Sequence, residues 1–357
     1  MKNDLLCLKT IYKFLFEWSS PLLLLTFVFS PKIFYSVRLG DLFILFFLVA
    51  FIPEWLSKKN IELFPEEKAG LLFLLWVSVV SFFSLIIGVN CGGGRMALTL
   101  GRFIEFGAVY ALAATSNKNY SKTLLSAKIS VLFLLLWALF EAFFGYFMDN
   151  YEYIRTFNEG FFEGEANHVA GAIAILANLS SILFLPGFIA VFFSGSRIAL
   201  VGLLAGAIRI FCSEKSRIGL ASLVIVVLVI IMAPSIWKAR YMDSLQLDSI
   251  YSGPHVDRFH SWKIAIEETP VLWGTGLGSR PSSVYESLYV MIYAETGIVG
   301  LILLIATFAV RFVRQQNINS VATALIVLSV LSLTMNTLII ARVSLPLAII
   351  LGTFRKN

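Results

Sequence analysis

Stretches of apolar sequence long enough to cross a lipid bilayer recur along this chain, separated by short polar, glycine- or proline-containing breaks. A hydrocarbon core about 30 Å thick takes roughly 20 residues of helix to span. Inside it no water satisfies backbone N–H and C=O groups, so a spanning segment must pair them internally, as an α-helix does. Repetition of such stretches leads to one fold class, an all-α polytopic membrane protein. The runs place spans at 14–31, 39–56, 69–89, 97–115, 123–148, 167–184, 186–195, 197–212, 218–237, 287–310, 318–335 and 338–353. These make about twelve transmembrane helices, with a range of 10–12. The run 186–195 is too short to cross alone, and 167–212 divides into either two long helices or three short ones. Of the 357 residues 58% are hydrophobic and 14% charged, against roughly 45–50% and 25% in soluble domains. A water-soluble enzyme is excluded.

Residues 1–357 read as a single membrane domain whose largest polar segment is 238–286. The net charge of +6 and pI near 9.2 point to nucleic acid only where a soluble module carries a basic face. No such module is visible, so no nucleic-acid partner is expected. Cysteines Cys7, Cys91 and Cys212 stand singly, which offers neither a disulfide framework nor a paired metal site. Lys2, Lys9 and Lys13 precede an apolar stretch with no small-residue cleavage site, so the first helix is expected to be retained.

Cations mark the cytoplasmic side of a membrane protein. With the N-terminus inside, the inner loops collect Lys2, Lys9, Lys13, Lys58, Lys59, Lys68, Lys118, Lys122, Arg209, Lys215, Arg217, Arg311, Arg314, Arg355 and Lys356, and both termini are cytoplasmic. Arg38, Arg95, Arg102, Arg155, Arg197, Arg240, Arg258, Arg280 and Arg342 fall on the outer side or in the outer part of a span. Lysine serves topology as a point charge, whereas the planar guanidinium presents a fork of donors suited to phosphate or carboxylate. One reading is that the outer face handles a phosphate-bearing anion. The other is that these arginines pair with local carboxylates and seal loops.

Ionisable groups within spans show the same asymmetry: Asp41, Arg102, Glu105, Glu141, Arg197 and Arg342 lie toward outer helix ends, and Glu295 near the middle of its helix. Such groups normally face a cavity or a partner, so a charged cavity open to the outside is expected. Arg102 and Glu105, three apart on one helix, also suit a simple mutual pair. In 238–286, expected outside, five cations stand against six carboxylates, and 256–268 reads as an amphipathic helix from the spacing of Phe259, Trp262 and Ile266. Trp273-Gly-Thr-Gly-Leu-Gly-Ser279 lacks the lysine and the strand-to-helix context of a nucleotide loop and reads as a tight turn. Glu295-Thr-Gly-Ile-Val-Gly300 indicates either close helix packing or a local break. Ser194-Gly-Ser-Arg197 sits where serines can cap the helix that follows, beside an N-terminus suited to phosphate; a capped helix with a snorkelling arginine explains it as well. All three histidines, His168, His255 and His260, fall outside, each also explicable as an ordinary surface residue. Glu163, Glu165 and His168 form a small polar group open to acid–base work.

Glu165-Ala-Asn-His-Val-Ala170, Ser196-Arg-Ile-Ala199, Arg258-x-x-x-Trp262, Pro270, Gly274-x-Gly276 and Ala294-Glu-x-Gly-Ile-Val-Gly300 occur in an order that resembles the O-antigen ligase and polymerase superfamily. The likeness covers roughly 160–310 and the many-span layout. It implies a GT-C-like glycosyltransferase of the bacterial inner membrane, active on the periplasmic face, using undecaprenyl-pyrophosphate-linked oligosaccharides. Further implied partners are membrane lipid and a chain-length regulator protein, with no metal or other cofactor. In the ligase branch two arginines hold the donor pyrophosphate and a histidine acts as base. The arginines match Arg197 and Arg258, and Arg280 is a third candidate for pyrophosphate. The histidine has no counterpart between Gly278 and Glu295, which favours a Wzy-type polymerase over a WaaL-type ligase. Glu286 stands in the position of the missing base, with His168 and His260 as competitors. An O-antigen ligase with a relocated base is the rival within the class, and a lipid-linked-oligosaccharide flippase the rival outside it.

Overall fold

The computed structural model describes residues 2–29, 32–34, 37–57, 63–88, 93–116, 120–147, 157, 166–214, 231, 254–279, 285–315 and 319–354. Apart from Ile231, the expected span 218–237 lies outside them, as do Arg155, Glu163, Glu165, Arg240 and Arg280. The chain is helical throughout the described residues except for loops and a short antiparallel pairing of β1 (Lys32–Phe34) with β2 (Val37–Arg38). The helices are α1 (Lys2–Val28), α2 (Leu39–Ser57), α3 (Pro65–Ile86), α4 (Gly93–Ser116), α5 (Tyr120–Phe147), α6 (Ala166–Ala177), α7 (Ser181–Ser194), α8 (Arg197–Glu214), α9 (Pro254–Glu267), α10 (Leu288–Gln315), α11 (Asn319–Leu331) and α12 (Ala341–Thr353). Among the described residues four are long and apolar enough to cross a membrane: α3, α4, α5 and α10.

Region 167–212 resolves into three short helices, α6 to α8, and the expected boundary near residue 185 moves to 178–180. Pro186 lies inside α7, and Gly195, left-handed at φ 66°, ends it. With 12 residues, α6 is about 18 Å long, too short to cross the hydrocarbon core by itself. Its alanine-rich surface explains its place instead: all of Val169–Ala177 is buried, because small side chains let neighbouring backbones approach closely. It packs against α7, α8 and α12, while α3 pairs with α10, α4 with α12, and α8 with α11. Lipid-sized exposure runs instead along α3 and α5, for instance Leu75, Phe82, Leu136 and Phe143.

Helix α3 starts with Pro65, preorganised for a first helical turn. The Glu67 carboxylate accepts the Phe64 N–H at 2.9 Å and the Tyr110 hydroxyl at 2.7 Å. Glu66 receives Arg311 at 2.9 Å and Arg314 at 2.8 Å, and Arg311 also donates to the Leu351 carbonyl. Arg311 and Arg314, read above only as topological cations, thus join α3, α4, α10 and α12. Arg311→Met is expected to destabilise the protein by about 3 kcal/mol, the low end for a broken buried pair because Arg314 remains on Glu66. Thermal unfolding in detergent checks this, and an unchanged midpoint contradicts it.

Candidate functional site

Helix α10 is broken at Gly297, whose backbone (φ 70°, ψ −175°) no helix contains. A break at this point frees the carbonyls of Ala294, Glu295 and Thr296 and the N–H of Ile298, groups that lipid cannot satisfy. The glycine-rich segment after α9 satisfies them. Thr275 gives its N–H and its hydroxyl to Ala294, each at 3.0 Å, and the Gly276 N–H reaches the Glu295 carbonyl at 2.8 Å. The Ile298 N–H donates to Val271 at 2.8 Å, and the Trp76 indole donates to Thr296 at 2.8 Å.

The run 273–279, expected as a tight turn, does turn sharply, and it follows a re-entrant path within the bundle down to the break in α10. Its lowest part meets α10 nine residues past Leu288, about 14 Å along the helix. It rises again between α3 and α4, where the Leu277 N–H meets Ser81 Oγ at 3.0 Å. A Cβ on Gly278 would lie 2.5 Å from the Met96 nitrogen, so only glycine permits this approach. Both readings of Glu295–Gly300 hold together: a break at Gly297, and close packing at Gly300, where a Cβ would meet Thr296 and Trp76.

Several helix ends converge at the end of the bundle where α10 begins. The Leu288 N–H donates to the carbonyls of Ser332 (3.0 Å) and Met335 (3.2 Å), and Ser287 Oγ to Ser332 (3.2 Å). Gly171 of α6 lies against Val343, Leu331 and Met335, and Gly202 of α8 against Leu331 and Val327. The starts of α6, α8, α10 and α12 are thereby gathered around the turn that follows α11. His168 lies in the first turn of α6, Arg197 opens α8, and Glu286 precedes α10 by two residues; all three are half-buried. Arg342, in the first turn of α12, is buried at the same end.

Ser194 Oγ bonds back to the Val191 carbonyl at 2.6 Å and accepts the Ser196 N–H at 3.2 Å, fixing the corner between α7 and α8. The Ser196 hydroxyl, expected as a cap, is buried with no hydrogen-bond partner among the described residues. Helix α9 covers most of the segment expected as a helix at 256–268; of its expected apolar face, Phe259 and Ile266 are exposed and Trp262 is half-buried. It docks by donating the Trp262 indole N–H to the Tyr285 carbonyl, the residue before Glu286. Arg258 stands one turn before Trp262 in α9, where only the backbone is described. His260, two residues from Trp262, lies about 200° around the helix from it and is exposed. Of the six candidates, His168, Arg197 and Glu286 share one end of the bundle, α9 brings the backbone of Arg258 beside it, His260 turns away, and Arg280 is outside the described residues.

Glu286 itself adopts φ 47°, a left-handed conformation uncommon for a residue with a Cβ. Other charged groups expected around a cavity are engaged elsewhere. Arg102 Nη1 lies 3.1 Å from Asp41 and 2.5 Å from Glu105, so the expected pair is a triad that joins α2 to α4. Glu141 accepts the Trp137 indole at 2.6 Å and the Phe157 N–H at 2.5 Å. Among these residues, sequence reasoning missed the roles of Ser81, Trp76 and Tyr285. Their partners lie 196, 220 and 23 positions away, beyond any local pattern. Compared with known proteins, the chain matches no protein-family model and no curated protein.

Proposed function

We propose that this chain is a Wzy-type polysaccharide polymerase, a GT-C-like glycosyltransferase of about twelve spans in the bacterial inner membrane. It transfers a growing glycan from undecaprenyl pyrophosphate to a sugar hydroxyl of an incoming lipid-linked repeat unit on the periplasmic face. The supporting observation is that Arg197 opens α8 at the same end of the bundle as His168 and the Glu286 turn. A helix N-terminus carries partial positive charge and outward N–H groups, and a guanidinium beside it completes a cradle for a diphosphate.

The chemistry asks little else of the protein. The acceptor oxygen forms a bond to the anomeric carbon as the bond from that carbon to the pyrophosphate oxygen breaks. The electron pair leaves with the undecaprenyl pyrophosphate, and the acceptor proton passes to a base. Arg197, with Arg258 from α9 and Arg280 beyond the glycine loop, stabilises the charge developing on the leaving group. Glu286 is the base this reading favours. Its left-handed backbone is the kind of local strain that positions a reacting group, and its neighbour Tyr285 anchors α9. His168 is the competitor on α6.

Deleting the chain in its host separates the readings. A polymerase leaves single repeats attached to the lipid A core. A ligase leaves lipid-linked polymer with no attachment, and that outcome would overturn the proposal. A flippase leaves repeat units confined to the inner leaflet, which would overturn it as well.

A further inference from the structure

Glu295 holds a place that neither the proposed reaction nor simple packing accounts for. It is 1% exposed, inside a membrane-spanning helix two residues before the break. Oε1 accepts the Gly278 N–H at 3.0 Å, while Oε2 has no hydrogen-bond partner among the described residues. Its own carbonyl receives Gly276. The residue thus grips the re-entrant loop twice, by backbone at Gly276 and by side chain at Gly278. These are the two turns that carry the chain from the bottom of the loop back to the rim. Gly276 and Gly278 both have positive φ, 86° and 69°; between them Leu277 is buried in the core and gives its N–H to Ser81, and the bonds to Glu295 hold the two glycines on either side of it.

We propose that Glu295 is the positioning residue of the re-entrant loop, acting as a hydrogen-bond acceptor and not as a charge. Its one side-chain hydrogen-bond partner is a neutral amide, and Arg95, the cation that faces it from the start of α4 beside Gly278, forms no direct salt bridge with it. Burial leaves the Gly278 N–H no water to turn to, so an acceptor oxygen at this position is what the loop requires of the residue. Together with the Thr275–Ser279 hydroxyl pair at 2.8 Å, the grip sets the height at which Ser279 leaves the loop, immediately before Arg280 in the chain. Its consequence for glycan transfer rests on the polymerase reading; the grip itself does not.

Two arms test the two statements separately. In the full-length protein with Cys7, Cys91 and Cys212 replaced by alanine, Ser279→Cys supplies a thiol at the top of the rising limb. With Glu295 present, a membrane-impermeant maleimide should label it slowly. Glu295→Ala should speed labelling at least tenfold, and Glu295→Gln, which keeps an acceptor oxygen without charge, should restore the slow rate. Glu295→Asp retains charge but is one methylene too short to reach Gly278, and it should label like alanine; it serves if the alanine variant does not accumulate. Slow labelling of the aspartate or alanine variant, or fast labelling of the glutamine variant, would overturn the proposal. The same variants in an elongation assay on purified lipid-linked repeats should rank in the same order, with glutamine near wild type. Absence of elongation in the wild-type chain would refute the polymerase reading while leaving the labelling result to judge the grip.

Discussion

Arg197→Lys should lower glycan elongation about 100-fold while the protein still folds and inserts. The magnitude is that of removing one preorganised donor from a site where charge develops in the transition state. Lysine keeps the positive charge but replaces the planar fork with a single ammonium, which cannot bridge two phosphate oxygens from a fixed direction. The position is demanding because Arg197 is half-buried where α8 begins. The corner before it is held by Ser194, which bonds both Val191 and the Ser196 N–H. Its guanidinium therefore starts from a rigid base. Arg258→Lys should act in the same direction through α9. Chain-length analysis of the glycan at matched protein levels reads both, and normal lengths in both mutants would remove the phosphate roles assigned to them.

Gly297→Ala should destabilise the protein by about 5 kcal/mol, the sum of backbone strain, a forced separation and lost hydrogen bonds. A Cβ at this position would sit 2.2 Å from the Leu272 carbonyl oxygen, and the backbone conformation there is open essentially to glycine alone. Relief through regular helix would return Ala294 to Ile298 and displace Thr275 and Val271, leaving the loop's own groups unpaired in lipid. Gly101→Ala is the control: nothing lies within 4 Å of a Cβ added there, in the interior of α4. It should be neutral or stabilising by up to about 1 kcal/mol. Thermal unfolding and monodispersity in detergent distinguish the two. Equal midpoints would mean that the break is not required.

The long helices were legible because hydropathy and length are local properties. The runs 69–89, 97–115 and 123–148 became Pro65–Ile86, Gly93–Ser116 and Tyr120–Phe147. Helix α9 was legible for a similar reason, since Phe259, Trp262 and Ile266 repeat at helical spacing within one segment. Region 167–212 was less so, because Pro186 marks an apparent boundary in a run that the fold breaks at Asn178 instead. Asn178 bonds Ala174 at 2.8 Å and Leu203 at 3.3 Å, the second contact depending on α8. The turns of the glycine loop were legible but its contact was not, because its partner is a broken helix and neither half of the pairing signals the other. The clasp of Arg311 and Arg314 on Glu66 was missed for the same cause: Glu66 and Arg311 are 245 positions apart, and a cation at a helix end already has a sufficient topological reason to exist.

The proposed activity is the joining of lipid-linked repeat units by this chain itself. It is tested most directly by reconstituting the purified protein in lipid nanodiscs with undecaprenyl-pyrophosphate-linked repeats and no other protein. The expected result is a ladder of products growing by one repeat, with release of undecaprenyl pyrophosphate and marked loss in the Arg197→Lys protein. A correctly folded preparation that leaves the repeats unjoined would contradict it.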